Sequence, residues 1–231
     1  LAVGVGAPPR VGYVPHLFAY LHGVPHAAVT QVTNLARGGE TSVSFMLPGG
    51  QLDRALAVIA DPTLDVRMVT LDIGGNDLLD LLGTTACQTD PAGAGCQQSV
   101  RTALLTFSTN FPGILLRLGT ALAARGDARL AVMTYYNPFS GTGSRFEQPV
   151  QLAMEGSDGV VDCAADQTDI SRVGLNDVIA CTAAQMGVTV ADVYPLFLGR
   201  SVELTHIAEG DIHPNAAGYA TIARSFEAAL R

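Results

Sequence analysis

The 231-residue sequence is long enough for one well-buried domain, and with 48% apolar and only 15% charged residues it excludes disorder over most of its length. A formal net charge of −8, with arginine as every one of the 13 basic residues, argues against a nucleic-acid or anionic-membrane surface. No apolar stretch approaches the roughly 18 uninterrupted residues of a membrane span, so a soluble globular domain is expected.

The chain opens on LAVGVGAPP (1–9), a Gly-rich loop of the sort that follows a buried strand in α/β proteins. GYVPHLFAYLHG (12–23) reads as a short amphipathic helix ended by Gly23. HAAVTQVTNLA (26–36) is β-branched and partly alternating, which predicts a strand leading into GGETS. GGQLDRALAVIAD (49–61) has helical spacing. VRMVTLDI (66–73) is a nearly continuous apolar run, as expected of a strand buried on both faces, and it ends in GGND. Residues 97–125 form one long helical region that Pro112-Gly113 should interrupt. RLAVMTYY (129–136) predicts another buried strand, followed by the loop NPFSGTGSRFEQP. Residues 168–187 read as helix and 188–194 as strand. PNAAGYATIARSFEAALR (214–231) reads as a closing helix with Pro214 in its first turn. Strands alternating with helices predict a single three-layer α/β domain over 1–231, with a parallel sheet of four visible strands. The loops after those strands should share one site at their carboxyl ends.

The cysteines fall as two local pairs, Cys87 with Cys96 and Cys163 with Cys181, in surroundings rich in Gly, Pro and Asp. Neither spacing is that of a zinc site. Two loop-stapling disulfides, and with them an exported protein, are the leading reading; four free core thiols are the alternative.

Three segments carry candidate chemistry. In GGND, Gly74 and Gly75 permit a tight turn and the close approach of a ligand. Asn76 would then present a neutral amide donor to a developing oxyanion, unless it or Asp77 merely caps the following helix. In NLARGGETS, the Gly38-Gly39 pair could expose a backbone N–H toward the same cleft, or simply form a turn. In EGDIHPNAAGY, His213 is placed at the start of the closing helix as a general base. Asp211, two residues back along an extended segment, lies on the same side. Capping is the competing reading for His213. His22 and His26 are four apart, but Gly23 and Pro25 break any helix that would align them as metal ligands. Ser42, Ser44, Ser140 and Ser144 lack the flanks of a nucleophile elbow. A base, an acid and two oxyanion donors converge, and no nucleophile does.

These pieces resemble the SGNH (GDSL) hydrolases, serine esterases and lipases of flavodoxin-like α/β/α fold. NLARGGETS is similar to the family's second block, GGND to the third and DIHPNAAGY to the fifth. The resemblance implies oxyanion donors at Gly39 and Asn76 and a base at His213. Asp211 stands one residue nearer to the histidine than the family's usual acid; either it reaches the ring or a backbone carbonyl orients the imidazole. YYNPF and the paired cysteines resemble secreted bacterial members. LAVGVG is similar to the continuation of the first block, Gly-Asp-Ser-Leu, with Leu1 as its Leu. That alignment places the nucleophilic serine just before Leu1 and the first, central strand before that. The 231-residue chain by itself is therefore expected to be poorly stable and hydrolytically inert. The implied activity is hydrolysis of a small-molecule or lipid ester by a secreted monomer, without metal or organic cofactor. A non-catalytic relative that binds an acyl or sugar ligand is the alternative.

Overall fold

The computed structural model describes residues 1–5, 12–24, 29–156, 163 and 172–231. Three strands, β1 (Met68–Leu71), β2 (Arg129–Met133) and β3 (Thr189–Ala191), form a parallel sheet in the order β1-β2-β3. Met68 pairs with Arg129 and Ala131 with Thr189. Eleven α-helices surround the strands among the described residues: α1 (Tyr13–Gly23), α2 (Ser42–Phe45), α3 (Gln51–Ala60), α4 (Gly75–Leu79), α5 (Thr85–Thr89), α6 (Ala94–Ala123), α7 (Glu147–Glu155), α8 (Leu175–Gln185), α9 (Tyr194–Phe197), α10 (Ser201–Leu204) and α11 (Ala216–Ala229).

The middle strand explains the layering. Successive side chains of a strand point to opposite faces, and in β2 both faces meet apolar layers. Leu130 and Val132 enter a core with Leu52 of α3, Phe107 and Leu118 of α6 and Ile179 of α8. Ala131 and Met133 enter a second core with Leu17 of α1 and Tyr219 and Phe226 of α11. The Tyr13 and Phe226 rings stack at 4.9 Å to close that second layer. The molecule is thus α/β with helices on both faces of a parallel sheet, as the alternating apolar runs predict.

Several boundaries differ from the sequence reading. α6 runs through Pro112 without a break. Proline forfeits one intrahelical bond, but Phe107, Phe111, Ile114, Leu115 and Leu118 anchor both halves on one core, and that burial outweighs the loss. The strand expected at 26–36 is not formed: residues 29–36 carry no ladder, and residues 25–28 lie outside the described set. A strand needs a neighbour, and here a cavity of about 540 Å³ separates Val29–Ala36 from β1. Gln31 to Asn34 are left exposed. The sheet therefore has three described strands where four were expected. The closing helix begins at Ala216 rather than at Pro214, because Asn215 is its cap and accepts the Gly218 N–H at 3.1 Å. The loop expected over 137–149 already contains the first turn of α7, held because Glu147 accepts the Gly141 and Gly143 N–H groups at 2.6 and 2.8 Å. Of the helix expected at 168–187, residues 168–171 lie outside the described set, α8 forms over Leu175–Gln185, and residues 172–174 and 186–187 are not helical.

Both disulfides form as paired in the sequence. Cys87 of α5 joins Cys96 of α6, Cys163 joins Cys181 of α8, and no described cysteine is free. Each closes a short loop, a constraint on the unfolded chain worth about 2–3 kcal/mol.

One buried acid gives the fold a pH signature. Glu155, 6% exposed, accepts a 2.6 Å bond from Asn176 Nδ2, and Asn176 also bridges the Tyr135 backbone through both its amide atoms. Burial pushes the Glu155 carboxyl up to about 7 against that hydrogen bond. A carboxyl raised on folding binds its proton more tightly in the native state. Stability is then greatest below about 4.5 and falls as pH rises through 7. Glu155→Gln keeps the acceptor and removes the titration. It should flatten that slope and gain up to about 3 kcal/mol over the parent at pH 8, measured by urea unfolding at pH 5 and pH 8. Equal slopes in both proteins would refute this account.

Candidate active site

β1 delivers the first candidate. Gly74 has φ 116°, a left-handed conformation, and a Cβ there would lie 2.7 Å from the Phe107 ring. A Cβ on Gly75 would lie 2.5 Å from the Tyr135 ring. The two glycines thus admit aromatic packing under the turn, where the sequence suggested the approach of a ligand. Asn76 caps nothing: the N-cap of α4 is Gly74, and no side chain caps it. Instead Asn76 Nδ2 donates to the Glu40 carbonyl at 2.9 Å, and among the described residues nothing accepts its second amide hydrogen. Asp77 does not cap either. It accepts from Ser42 N at 2.9 Å and Ser42 Oγ at 2.5 Å, while Asn110 Nδ2 donates to the same hydroxyl at 3.1 Å. Burial raises the Asp77 carboxyl despite the bonds from Ser42.

The GGETS loop is strapped to this turn. The Asn76–Glu40 bond and the Asp77–Ser42 pair hold the loop from both sides of Thr41, whose side chain caps α2 by accepting from Ser44 N. Gly39, just upstream, is exposed with φ 75°, and among the described residues nothing accepts its N–H.

The third segment is a folded-back loop. His206 N donates to the His213 carbonyl at 3.0 Å and Asp211 N to the His206 carbonyl at 3.1 Å, while Thr205 and Pro214 form an antiparallel bridge. Tyr136, just past β2, donates its hydroxyl to the Ile212 carbonyl at 2.9 Å and ties the loop to the sheet. Within this frame Asp211 Oδ1 lies 2.5 Å from His213 Nδ1 and also accepts His213 N at 3.0 Å. Burial opposes ionisation of Asp211, but these bonds from His213 outweigh it and hold the carboxyl below its usual range. An ionised Asp211 accepts a hydrogen bond from Nδ1–H and leaves Nε2 as the acceptor.

One cavity brings the segments together: Gly39, Asn76 and His213 line the same 540 Å³ cleft, with Leu1, Asp72 and Tyr136 in its wall. Leu1 N sits 2.9 Å from Asp72. The four serines are absorbed elsewhere. Ser42 serves Asp77, Ser44 the α2 cap, Ser140 accepts from Gly199 N, and Ser144 accepts from Phe146 N. Among the described residues no hydroxyl or thiol hydrogen bonds to His213. His22 binds the Val29 carbonyl through Nδ1, and His26 lies outside the described set. Tyr136 and the Ser42–Asp77–Asn110 network were not singled out by sequence, because their roles depend on contacts across 35 to 76 residues of chain.

A model of the GDSL-like lipase/acylhydrolase family matches residues 1–221. The chain belongs to that family. Its fold is also that of the lipase Lip_vut3 from goat rumen metagenome, with a TM-score of 0.61 at 20% identity over 99% of this chain and 92% of that one. No curated protein sequence matches the chain. The protein is thus a hydrolase of the esterase/lipase type, and two disulfides in such a hydrolase fit an extracellular protein. Among the described residues no helix is long and apolar enough to cross a membrane.

Proposed function

We propose that this hydrolase cleaves carboxylic esters by a serine–histidine mechanism, as an exported monomer acting on a small-molecule or lipid ester. The observation that carries it is the 2.5 Å contact between His213 Nδ1 and Asp211 Oδ1, with His213 lining the same cleft as Asn76 and Gly39. The nucleophile is assigned to the serine that the family's first block would place directly before Leu1. Leu1 lines this cleft, which supports that assignment.

His213 Nε2 takes the serine proton as the serine oxygen attacks the ester carbonyl. Gly39 N–H and Asn76 Nδ2 hold the oxyanion, and Asp211 steadies the imidazolium. Collapse breaks the C–O bond, and His213 returns its proton to the leaving alcohol. Water, deprotonated by His213, then attacks the acyl-serine; the acid leaves and the serine regains its proton.

A non-catalytic acyl- or sugar-binding relative is the second reading, favoured by the lack of any described hydroxyl or thiol partner for His213. One assay separates them. A chain carrying Gly-Asp-Ser ahead of Leu1 should hydrolyse a p-nitrophenyl ester and lose that activity with alanine in place of the serine. A folded chain of that design with no hydrolysis would leave the binder.

A further inference from the structure

A second cavity, of about 380 Å³, lies between α6, α7 and the turn that follows α4. That volume falls within the range of small-molecule pockets, about 300–1,000 Å³. Its walls include Leu78, Leu82, Val100, Leu104 and Val150, and both Cys87 and Cys96 line it, so the disulfide ties one wall to α6. Among the described residues, Arg101, on an exposed position of α6, is the single charged residue of the lining. Leu79 and Met154 line this chamber and also the cleft that holds Asn76 and His213. Leu79 follows the oxyanion candidate by three residues on the same short helix. Met154 is an unbranched, adaptable side chain at the junction.

The geometry points to this chamber as the binding site for the aliphatic acyl chain of the ester, reached from the cleft between Leu79 and Met154. This inference rests on the reading of the cleft as the ester-hydrolysing site. Apolar walls reward each methylene that leaves water, and they offer a sugar or an acetyl group almost nothing. The chamber therefore selects esters of medium-chain fatty acids over acetates.

The test uses neutral alkyl probes on the 231-residue chain. Calorimetric titration with butan-1-ol, hexan-1-ol and octan-1-ol should show affinity rising about fourfold per added methylene. Val100→Trp, which fills the chamber, should abolish that rise, and Asn76→Ala should leave it intact. In methyl-¹³C-methionine spectra octan-1-ol should shift the Met154 resonance; this reading needs no variant to fold. Affinity independent of chain length, or an unmoved Met154 resonance, would overturn the chamber. In the chain carrying the restored serine, p-nitrophenyl octanoate should be hydrolysed with a higher kcat/KM than the acetate, and Val100→Trp should remove the difference. Equal kcat/KM for both esters would sink the acyl chamber while sparing the ester reading. Probe binding that obeys the Val100 and Met154 tests without any hydrolysis would sink the ester reading and leave an alkyl-binding chamber.

Discussion

Asn76→Ala is expected to lower kcat for ester hydrolysis by about 10²- to 10³-fold in the chain carrying the nucleophile, with KM little changed. The reason lies in the division of the Asn76 amide. One N–H is spent on the Glu40 carbonyl at 2.9 Å, which fixes the side chain's rotamer, and the other is left to meet charge that develops only in the transition state. A donor of this kind acts on kcat because the ground-state carbonyl makes a weaker demand on it. The substitution also releases the strap on the GGETS loop, a loss of about 1 kcal/mol in stability for one part-buried hydrogen bond. Thermal unfolding of Asn76→Ala separates the two effects: a small shift in Tm with a large loss of kcat marks a donor. Asn76→Asp supplies a sharper control. Its carboxylate would face both the Glu40 carbonyl and the developing oxyanion, so activity should fall at least as far as in the alanine variant. Activity within threefold of the parent in both variants would reduce Asn76 to a structural strap.

What the sequence made legible follows from how local each determinant is. β2 was readable because both of its faces are buried, so RLAVM shows an unbroken apolar run. The Asp211–His213 pair was readable because the two residues stand only two apart, and the Asp211 carboxylate folds back onto both the His213 N–H and its ring. Pro112 misled because its rule is local while the cost is repaid by Phe107, Phe111 and Leu118 in a distant core. Residues 29–36 misled for the opposite reason: VTQVTN has the propensity of a strand, but pairing depends on what stands across the gap from β1. Pro214 looked like a helix start, yet Asn215 is the better cap, and Pro214 is engaged in the bridge to Thr205. In GGND the need for glycine was legible, but the partners that impose it, Phe107 on Gly74 and Tyr135 on Gly75, come from 33 and 60 residues further along the chain.

Asp211→Asn should cost about 10²- to 10⁴-fold in kcat/KM, although the substitution removes no heavy-atom contact. Asp211 is 42% exposed by side chain, so its value to catalysis rests on orientation and tautomer more than on a buried charge. As a carboxylate it can only accept, which forces the proton onto His213 Nδ1 and leaves Nε2 free to take the serine's. The amide can donate instead, and a ring that accepts at Nδ1 carries its proton at Nε2, where it cannot act as base. Nitrogen-15 spectra of the imidazole should show that change of tautomer directly, and Asp211→Ala, which leaves no amide donor, should retain more of the base. The same pair contributes a pH-dependent stability. Because the folded Asp211 carboxyl lies below its usual range, its contribution is present above the unfolded value and is lost as pH falls through the folded one. Asp211→Asn should therefore remove part of the acid-limb loss of stability along with the activity. Should kcat/KM of Asp211→Asn stay within threefold of the parent, the ring is held by something other than this carboxylate. The tie from Tyr136 to the Ile212 carbonyl, which fixes the loop backbone next to His213, then becomes the residue to substitute.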